Sequence, residues 1–355
     1  AHMFSVGIDA HDRSYAMCIL DDHGKVFKQH TLSGSVPEVA AWLGKLKKPF
    51  RVCYEASLGY GLLFDALKPI AKDVQVAHPA HVRSIFKSKK KNDRIDARKL
   101  AKCLYMDEVP RVHVPTLDVR EWRVLIEHRR RLVDKRTATK NGLRALLRSQ
   151  GIESPKGKRM WASAGITWTK TCEFKSSLTA LRRDQLLLEL EHFDRAIELA
   201  EKTLDQIGAQ HPGVALLRTI PGVGPRTAEA VVAYVDDPHR FSSTRKAASY
   251  FGLVPSLDES GGTSRYGHIT KEGPATVRKL LVESSWRVMS CSPTMREYFL
   301  RIKNEQKDRA GKAIVATARY MVQVMVAMLE SGEEWRERIT PKAEEERHHP
   351  GKDMK

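Results

Sequence analysis

The 355-residue sequence predicts an α/β domain at its amino end, a helical middle and a mostly α-helical carboxy-terminal domain. Three observations carry this. Over the first third, period-two apolar runs and helix-opening signals follow the order three strands, helix, strand, helix, strand, helix. From Asp118 to about Gln150 the chain is nearly free of breakers and strongly basic, and a later stretch repeats apolar residues in steps of four and three. At Leu216 the pattern turns to short helices punctuated by Pro and Gly. The boundaries read as 3–112, 113–210 and 211–332. A charged segment, 333–355, is poor in apolar residues and reads as a flexible tail.

In FSVGIDAH, Phe4, Val6 and Ile8 alternate as in a strand ending at Asp9. SYAMCILDD is a second strand, Asp22-His23-Gly24 a turn and VFKQHTL a third strand. Ser35-Val36-Pro37-Glu38 opens a helix to about Lys47, with a capping serine and a proline in the first turn. RVCYEAS is a strand with Glu55 near its end, GLLFDALKPIA a helix and VQVAHP a fifth strand. In KSKKKNDRIDARKLAK, Asn92 caps a helix whose first turn carries Asp93 and Asp96 on one face. This order resembles the ribonuclease H-like fold of RuvC-type resolvases and many transposases. In that fold the first and fourth strands lie side by side, so Asp9 and Glu55 would meet at neighbouring strand ends, and the last helix would bring Asp93 and Asp96 to them.

Four carboxylates from three elements make a hard oxygen site suited to Mg²⁺ or Mn²⁺, ions that stabilise charge on a phosphodiester under attack. Singly, each acid reads equally as a surface residue or a cap. His11, His78 and His81 lie near the same strand ends, but soft nitrogen suits magnesium poorly, so they read as structural or phosphate-contacting. Asp12, Asp65 and Asp73 lie off the pattern and read as solvated.

Lys and Arg number 61 against 43 Asp and Glu, a formal charge of +18, with a sequence pI of about 9.7. The excess points to nucleic acid more than to a membrane, since no apolar run approaches the roughly 20 residues a span needs. A basic binding protein with no chemistry has the same composition. Candidate contacts are Lys89, Lys90, Lys91 and Arg94 beside the acids, Arg129, Arg130 and Arg131 in the basic helix, and Arg265, Lys271 and Arg278 near the carboxy end. The five scattered cysteines read as reduced thiols of a cytosolic protein. Ala1-His2 before Met3 reads as a cloning remnant with no signal peptide after it.

The heptad seam is Leu186, Leu190, Phe193, Ile197, Ala200, Leu204 and Ile207, which suits an antiparallel coiled-coil hairpin with the basic helix, an oligomer contact, or both. Between the two helices, Ser154 to Lys170 reads as a break. Its Trp161 and Trp168 have packing as their more common use and base stacking as the other. LLRTIPGVGPRTAEAVVAYV resembles a helix-hairpin-helix, whose tight Gly222–Gly224 turn can offer N–H groups to a phosphate. Farther on, Ser260 precedes Gly261-Gly262 in a polar loop, and the apolar run IVATARYMVQVMVAMLE reads as a core helix.

Taken together, GIDAH, CYEAS, NDRIDARKLA, IPGVGPRTA, FGLVPS, ESGG and ITKEGPATVRKLL resemble the DEDD transposases of bacterial insertion sequences of the "IS one-ten" type, the bridge-RNA-guided recombinases. The resemblance runs from Phe4 to about Glu330. It implies a RuvC-like domain, a coiled-coil insert and a transposase domain, with Asp9, Glu55, Asp93 and Asp96 holding the metal. It also implies a serine that forms a covalent phosphoserine link to DNA, matched here by Ser260. Many relatives carry two serines before that glycine, and here the first is Glu259. Ser256 and Ser264 remain alternatives, with Tyr266 behind them. The implied partners are donor and target DNA, a structured non-coding bridge RNA that chooses sequence by pairing, and further copies of the chain, a dimer becoming a tetramer around DNA. The implied setting is the bacterial cytoplasm. Two other readings stand beside this one: a RuvC-like nuclease with water as nucleophile, and a silent nucleic-acid-binding assembly protein.

Overall fold

A computed structural model describes residues 3–57, 59–85, 92–154, 157–260 and 263–338. The chain forms two compact units, Ala1–Leu117 and Asp118–Lys355. The helical middle therefore belongs to the same unit as the carboxy-terminal helices.

In the first unit, β1 (Phe4–Ala10), β2 (Ser14–Leu20), β3 (Val26–Ser33), β4 (Phe50–Glu55) and β5 (Asp73–Ala77) form one sheet in the order β3-β2-β1-β4-β5. β1 pairs antiparallel with β2 and parallel with β4, so the first and fourth strands are neighbours, as the sequence predicts. Alternation sorts the side chains. Phe4, Val6, Ile8, Val52 and Tyr54 pack with Val39, Leu43, Leu63 and Leu67 of α1 (Val36–Leu43) and α2 (Tyr60–Leu67). On the other face, Ala16, Cys18 and Leu20 meet Ala97 and Ala101, and Cys53 and Ala77 meet Leu100 and Leu104.

Two helices are shorter than the sequence suggests. α1 stops at Leu43 rather than near Lys47 because Gly44 turns back to Ala40 and a lysine-rich stretch leads to Pro49. α2 stops at Leu67, with Lys68 still in helical geometry, because Pro69 has no N–H to continue the ladder. A short α3 (Pro79–Ile85) was not anticipated. α4 (Asp93–Tyr105) begins as expected, the Arg94 N–H donating to the Asn92 side chain at 3.0 Å.

α4 lies on the sheet at Gly7. A Cβ there would collide with the Ala97 carbonyl and the Ala101 backbone nitrogen, so only glycine admits this approach. The far end of α4 is held by Arg51, which donates to the Tyr105 carbonyl at 3.2 Å and pairs with Asp107 at 3.1 Å.

In the second unit, α5 (Leu117–Ser149) and α7 (Ser177–Gln210) run antiparallel. Arg129 donates to Glu201 at 3.0 Å, Arg136 to Asp194 at 3.0 Å and Thr139 to Glu189 at 3.2 Å, while Leu143 and Leu147 pack with Leu187 and Leu190. Of the expected seam, Leu190, Ile197, Ala200 and Leu204 are buried and Leu186, Phe193 and Ile207 half-buried. The supposed break between these helices is itself partly ordered, as a 3₁₀ turn and α6 (Ser163–Thr171). Trp161 and Trp168 pack against the Leu143 cluster, and Lys140 and Arg144 lie over the Trp161 ring at 5.0 and 4.9 Å.

α8 (Pro212–Leu217) and α9 (Pro225–Val235) flank the Pro-Gly turn, where Gly222 has φ +90° and lies against the backbone of Arg287 and Val288. α10 (Thr244–Tyr250) leads to a two-stranded hairpin, β6 (Pro255–Ser260) and β7 (Thr263–Ile269), and then to α11 (Ala275–Cys291), α12 (Pro293–Lys303) and α13 (Ala310–Ser331). Trp122 and Ile126 of α5 share one core with α9, α11 and α13.

Two sequence expectations change here. The stretch Lys307–Ser331 is long and apolar enough by length and composition to cross a membrane, contrary to the reading that no run comes close. About half of it is buried, with Met321, Val322, Met325 and Val326 in the core. The segment after Glu333 is also anchored at its start. The Trp335 N–H donates to Thr219 Oγ1 at 3.1 Å, Glu337 accepts from the Thr294 N–H at 3.0 Å, and the Arg338 N–H donates to Thr294 Oγ1 at 2.8 Å. Charge alone hid the one apolar anchor, Trp335. Residues from 339 onward lie outside those described.

Glu229 of α9 is 1% exposed. It packs against Gly208 of α7, with Arg226 Nη2 at 3.1 Å but no well-formed hydrogen bond to either carboxylate oxygen. Burial, opposed by Arg226, raises its pKa to about 7. The folded state therefore holds a proton through the window from 4.5 to about 7 that the unfolded chain has lost, and stability falls as pH rises across it. Glu229→Gln removes this dependence. Urea denaturation at pH 5 and pH 8 should show the variant gaining up to about 3 kcal/mol on wild type between the two pH values.

Candidate metal and nucleic-acid site

The strand ends and α4 converge on one set of acids. Asp9 alternates with Gly7 and so lies on the α4 face of β1. Ile8 pairs with Tyr54, which puts Glu55 beside Asp9 at the end of β4 on the same face. The close seat of α4 at Gly7 brings the start of that helix over the same edge. Ligand atoms of Asp9, His11 and Asp93 all lie within 4.8 Å of one another. His11 Nε2 is 3.6 Å from Asp9 Oδ2 and 3.6 Å from Asp93 Oδ1.

Glu55 and Asp96 are not in that group of three. Glu55 is half-buried one strand over, and Asp96, one turn along α4, accepts from Lys99 Nζ at 2.7 Å. His11 is the residue that sequence reasoning set aside. The signal was present, because its two-residue spacing from Asp9 keeps it on the same side of the chain if the strand geometry continues. Its imidazole can donate nitrogen to a cation or, protonated, balance the two carboxylates. His78 and His81 instead stack edge to face at 4.7 Å, both exposed. Asp12 and Asp65 are exposed as expected, whereas Asp73 is half-buried and accepts from Gln75 at 2.6 Å.

The donor set fits a hard divalent cation. Asp9 and Asp93 offer oxygen atoms at close quarters, Glu55 stands in register beside them, and a bound cation would relieve the repulsion among these carboxylates. Asp93 and His11 are exposed, which leaves the edge open to a polymer ligand.

The basic candidates divide. Arg94, Arg131, Arg265 and Lys271 are exposed. Arg129 is engaged by Glu201. Arg130 is buried, 3.1 Å from Asp134 and 3.7 Å from Glu283. Arg278 donates to the Phe251 and Glu272 carbonyls at 3.1 and 2.7 Å, and burial lowers its pKa. Those three brace the second unit; Arg129 and Arg278 are engaged by partners far along the chain, which the sequence could not show, whereas Asp134, the nearer partner of Arg130, lies one turn on in the same helix. Lys89, Lys90 and Lys91 lie outside the described residues.

Ser260 is the last residue of β6 and pairs with Thr263, so the supposed loop is the end of a hairpin around Gly261-Gly262, which lie outside the described residues. The Gly-Gly pair is itself a two-residue turn signal, but the flanking SLDES and TSRYGHI are too polar to show strand alternation. Ser264 pairs with Glu259 and Tyr266 with Leu257 on the same ladder. Ser256 is exposed, its Oγ against the Gly267 backbone across the hairpin.

Comparison with known proteins adds identity to this geometry. A DEDD transposase profile of the IS110 type matches residues 6–151, and a profile described as "Transposase IS116/IS110/IS902 family" matches residues 214–300. The transposase for insertion sequence element IS1111A of Coxiella burnetii is 27% identical over 335 residues, covering 93% of this chain and 91% of its own. A putative transposase, y4qE, of Sinorhizobium fredii is 30% identical over 244 residues, 66% of this chain and 57% of its own. An uncharacterized protein of insertion element IS110 from Streptomyces coelicolor is 30% identical over 158 residues, 44% of this chain and 36% of its own.

The contact at Gly7 generates a test. Gly7→Ala should destabilise the protein by about 1–3 kcal/mol and push α4 off the sheet, and with it Asp93 from Asp9. Gly311→Ala, where a Cβ meets nothing within 4 Å, should be neutral or slightly stabilising. Thermal melts with and without Mn²⁺ check both: the Mn²⁺-dependent rise in Tm should survive in the second variant and shrink in the first.

Proposed function

The chain belongs to the IS110 family of insertion-sequence DEDD transposases, and from that premise we propose that it is an RNA-guided DNA recombinase that joins donor and target DNA through a phosphoserine intermediate. The observation that carries the reading is the meeting of Asp9 and Asp93, from a strand end and a helix start, with Glu55 in register beside them. In this reading the first unit is a ribonuclease H-like, RuvC-like domain, and the second contributes a coiled-coil hairpin and a transposase domain with a helix-hairpin-helix-like turn. The domain spans are 3–112, 113–210 and 211–332.

Asp9, Glu55, Asp93 and Asp96 hold Mg²⁺ or Mn²⁺. Bound there, the ion supplies positive charge against the charge that builds up on the phosphate. Asp96 joins the set by exchanging its Lys99 partner. Ser260 supplies the nucleophile: its Oγ forms a bond to phosphorus, one ester P–O bond breaks, and the net proton moves from the serine hydroxyl to the departing deoxyribose oxygen. A hydroxyl of the other DNA then attacks the phosphoserine, restores the serine and joins the strands. Arg94, Arg131, Arg265 and Lys271, exposed and unencumbered by any ion pair described above, are the phosphate-contacting cations. A structured bridge RNA pairs with both DNAs and chooses sequence. The chain works as a dimer that becomes a tetramer on DNA, in the bacterial cytoplasm.

Two measurements test this. Ser260→Ala should abolish a covalent protein–DNA adduct seen by denaturing gel, with DNA binding retained, and Asp96→Ala should reduce strand transfer by at least about a hundredfold, the scale of losing a group that acts on transition-state charge. Adducts that persist in Ser260→Ala reassign the nucleophile, and cutting by wild type with no adduct points to water. Full strand transfer by Asp96→Ala would overturn the metal assignment. The protein isolated from its host should also carry a discrete RNA, visible as a raised 260 nm absorbance and a single band on a gel.

A further inference from the structure

The edge that carries the acids has a second feature on the opposite face of the sheet. A cleft of about 390 Å³ opens there, lined by His11, Tyr15, Tyr54, Ser57, Tyr60 and Leu62 among others. It lies at the ends of β1 and β4, beneath the start of α2, and shares His11 with the carboxylate cluster. Its walls are aromatic and aliphatic with hydroxyl groups and Asp12 among them, and among the described residues no lysine or arginine lines it. A phosphate would find no cation in it, whereas a flat heteroaromatic ring would find apolar walls and a few polar atoms.

The cleft is held open by its own backbone. Gly59 has φ +81° at the start of α2, and a Cβ there would meet nothing within 4 Å. The Tyr54 hydroxyl donates to the Tyr60 carbonyl at 2.7 Å, which pins the β4–α2 connection to the strand end. Tyr15 is buried in the wall, while Leu62 stands at the mouth with 64% of its surface exposed.

We propose that this cleft receives one unpaired nucleobase of the DNA strand next to the phosphate handled at Asp9 and Asp93. The inference rests on the transposase reading above, which puts a DNA phosphate on the α4 side of the edge. From there the adjacent nucleotide passes His11 and lays its base across the end of the sheet into the Tyr-lined space. Removing that base from its stack fixes the register of the strand at the reacting phosphate, a positioning that phosphate contacts alone do not provide.

The test uses the full chain as isolated from its host and a duplex from the end of its own element, with 2-aminopurine replacing each base flanking the cleaved phosphate in turn. Wild type should raise the fluorescence several-fold at one position. Leu62→Glu, an exposed change outside the carboxylate set, should bind the same duplex and lose most of that rise. Cleavage of the same duplex in Mg²⁺ is followed alongside. Cleavage by wild type with no rise at any position overturns the base site and leaves the transposase reading standing. A rise that Leu62→Glu shows in full overturns it as well, because the base then leaves its stack without entering the cleft. A wild-type protein that neither cleaves the duplex nor forms an adduct overturns both.

Discussion

The approach of α4 to β1 at Gly7 is the contact on which the rest of the site depends. A side chain at Gly7 would force α4 away from the sheet and carry Asp93 away from Asp9. The sequence meets this demand with glycine on the strand and alanine at 97 and 101 on the helix, so backbone meets backbone. The residues that make the contact bear no chemistry. They set the distance between those that do, and Arg51 fixes the other end of α4 so that the helix has one resting place along the strand.

The second unit solves a different problem, how to be strongly basic and still fold. Much of its charge is internal. Arg129, Arg130, Arg136 and Arg226 pair with acids of α5, α7, α9 or α11, and Arg123 and Arg240 donate to the carbonyls of Ala233, Tyr234 and Val235 at the end of α9. A guanidinium at a helix carboxy end satisfies orphan carbonyls and opposes the negative end of the helix dipole. Breaking a buried pair of this kind leaves an uncompensated charge, so these arginines specify how the helices dock more than they attract a polymer. The gross count of 61 lysines and arginines consequently overstates the number of cations available to nucleic acid, while the net charge of +18 already has the paired acids subtracted.

How much could be read from the sequence follows from which forces are local. Strand periodicity, the Asn92 cap and the heptad steps are local, and each element they define is found within a few residues of its expected place. The adjacency of Asp9 and Glu55 was legible through the resemblance of the element order to a ribonuclease H-like fold, in which the first and fourth strands pair. What failed was non-local or overlooked. The partners of Arg129 and Arg278 come from a distant helix and a loop, and Trp335 anchors a segment whose composition alone resembles a loose tail, while the local pairs Arg130–Asp134 and Lys99–Asp96 were overlooked. The β6–β7 hairpin was hidden because its strands are too polar to alternate, and the Gly-Gly pair was taken for flexibility when such a pair also suits a two-residue turn.

The strand end at Asp9 also shows how one edge can serve two kinds of contact. Alternation along a strand sends consecutive side chains to opposite faces, so a chain that places carboxylates at every second position must place something else between them. Here those intervening positions, Ile8 and Tyr54, feed the apolar layer under α1 and α2, and the layer ends in open space rather than in packed side chains. In the proposed reading the acids face an anionic backbone through a cation, while the aromatic side, with no lysine or arginine among its described residues, suits a ring better than a phosphate. A nucleotide has both parts, separated by one sugar, and the sheet edge is the thin wall between the two environments. His11 stands on that wall and touches both, within reach of the Asp9 and Asp93 carboxylates on one side and lining the cleft on the other.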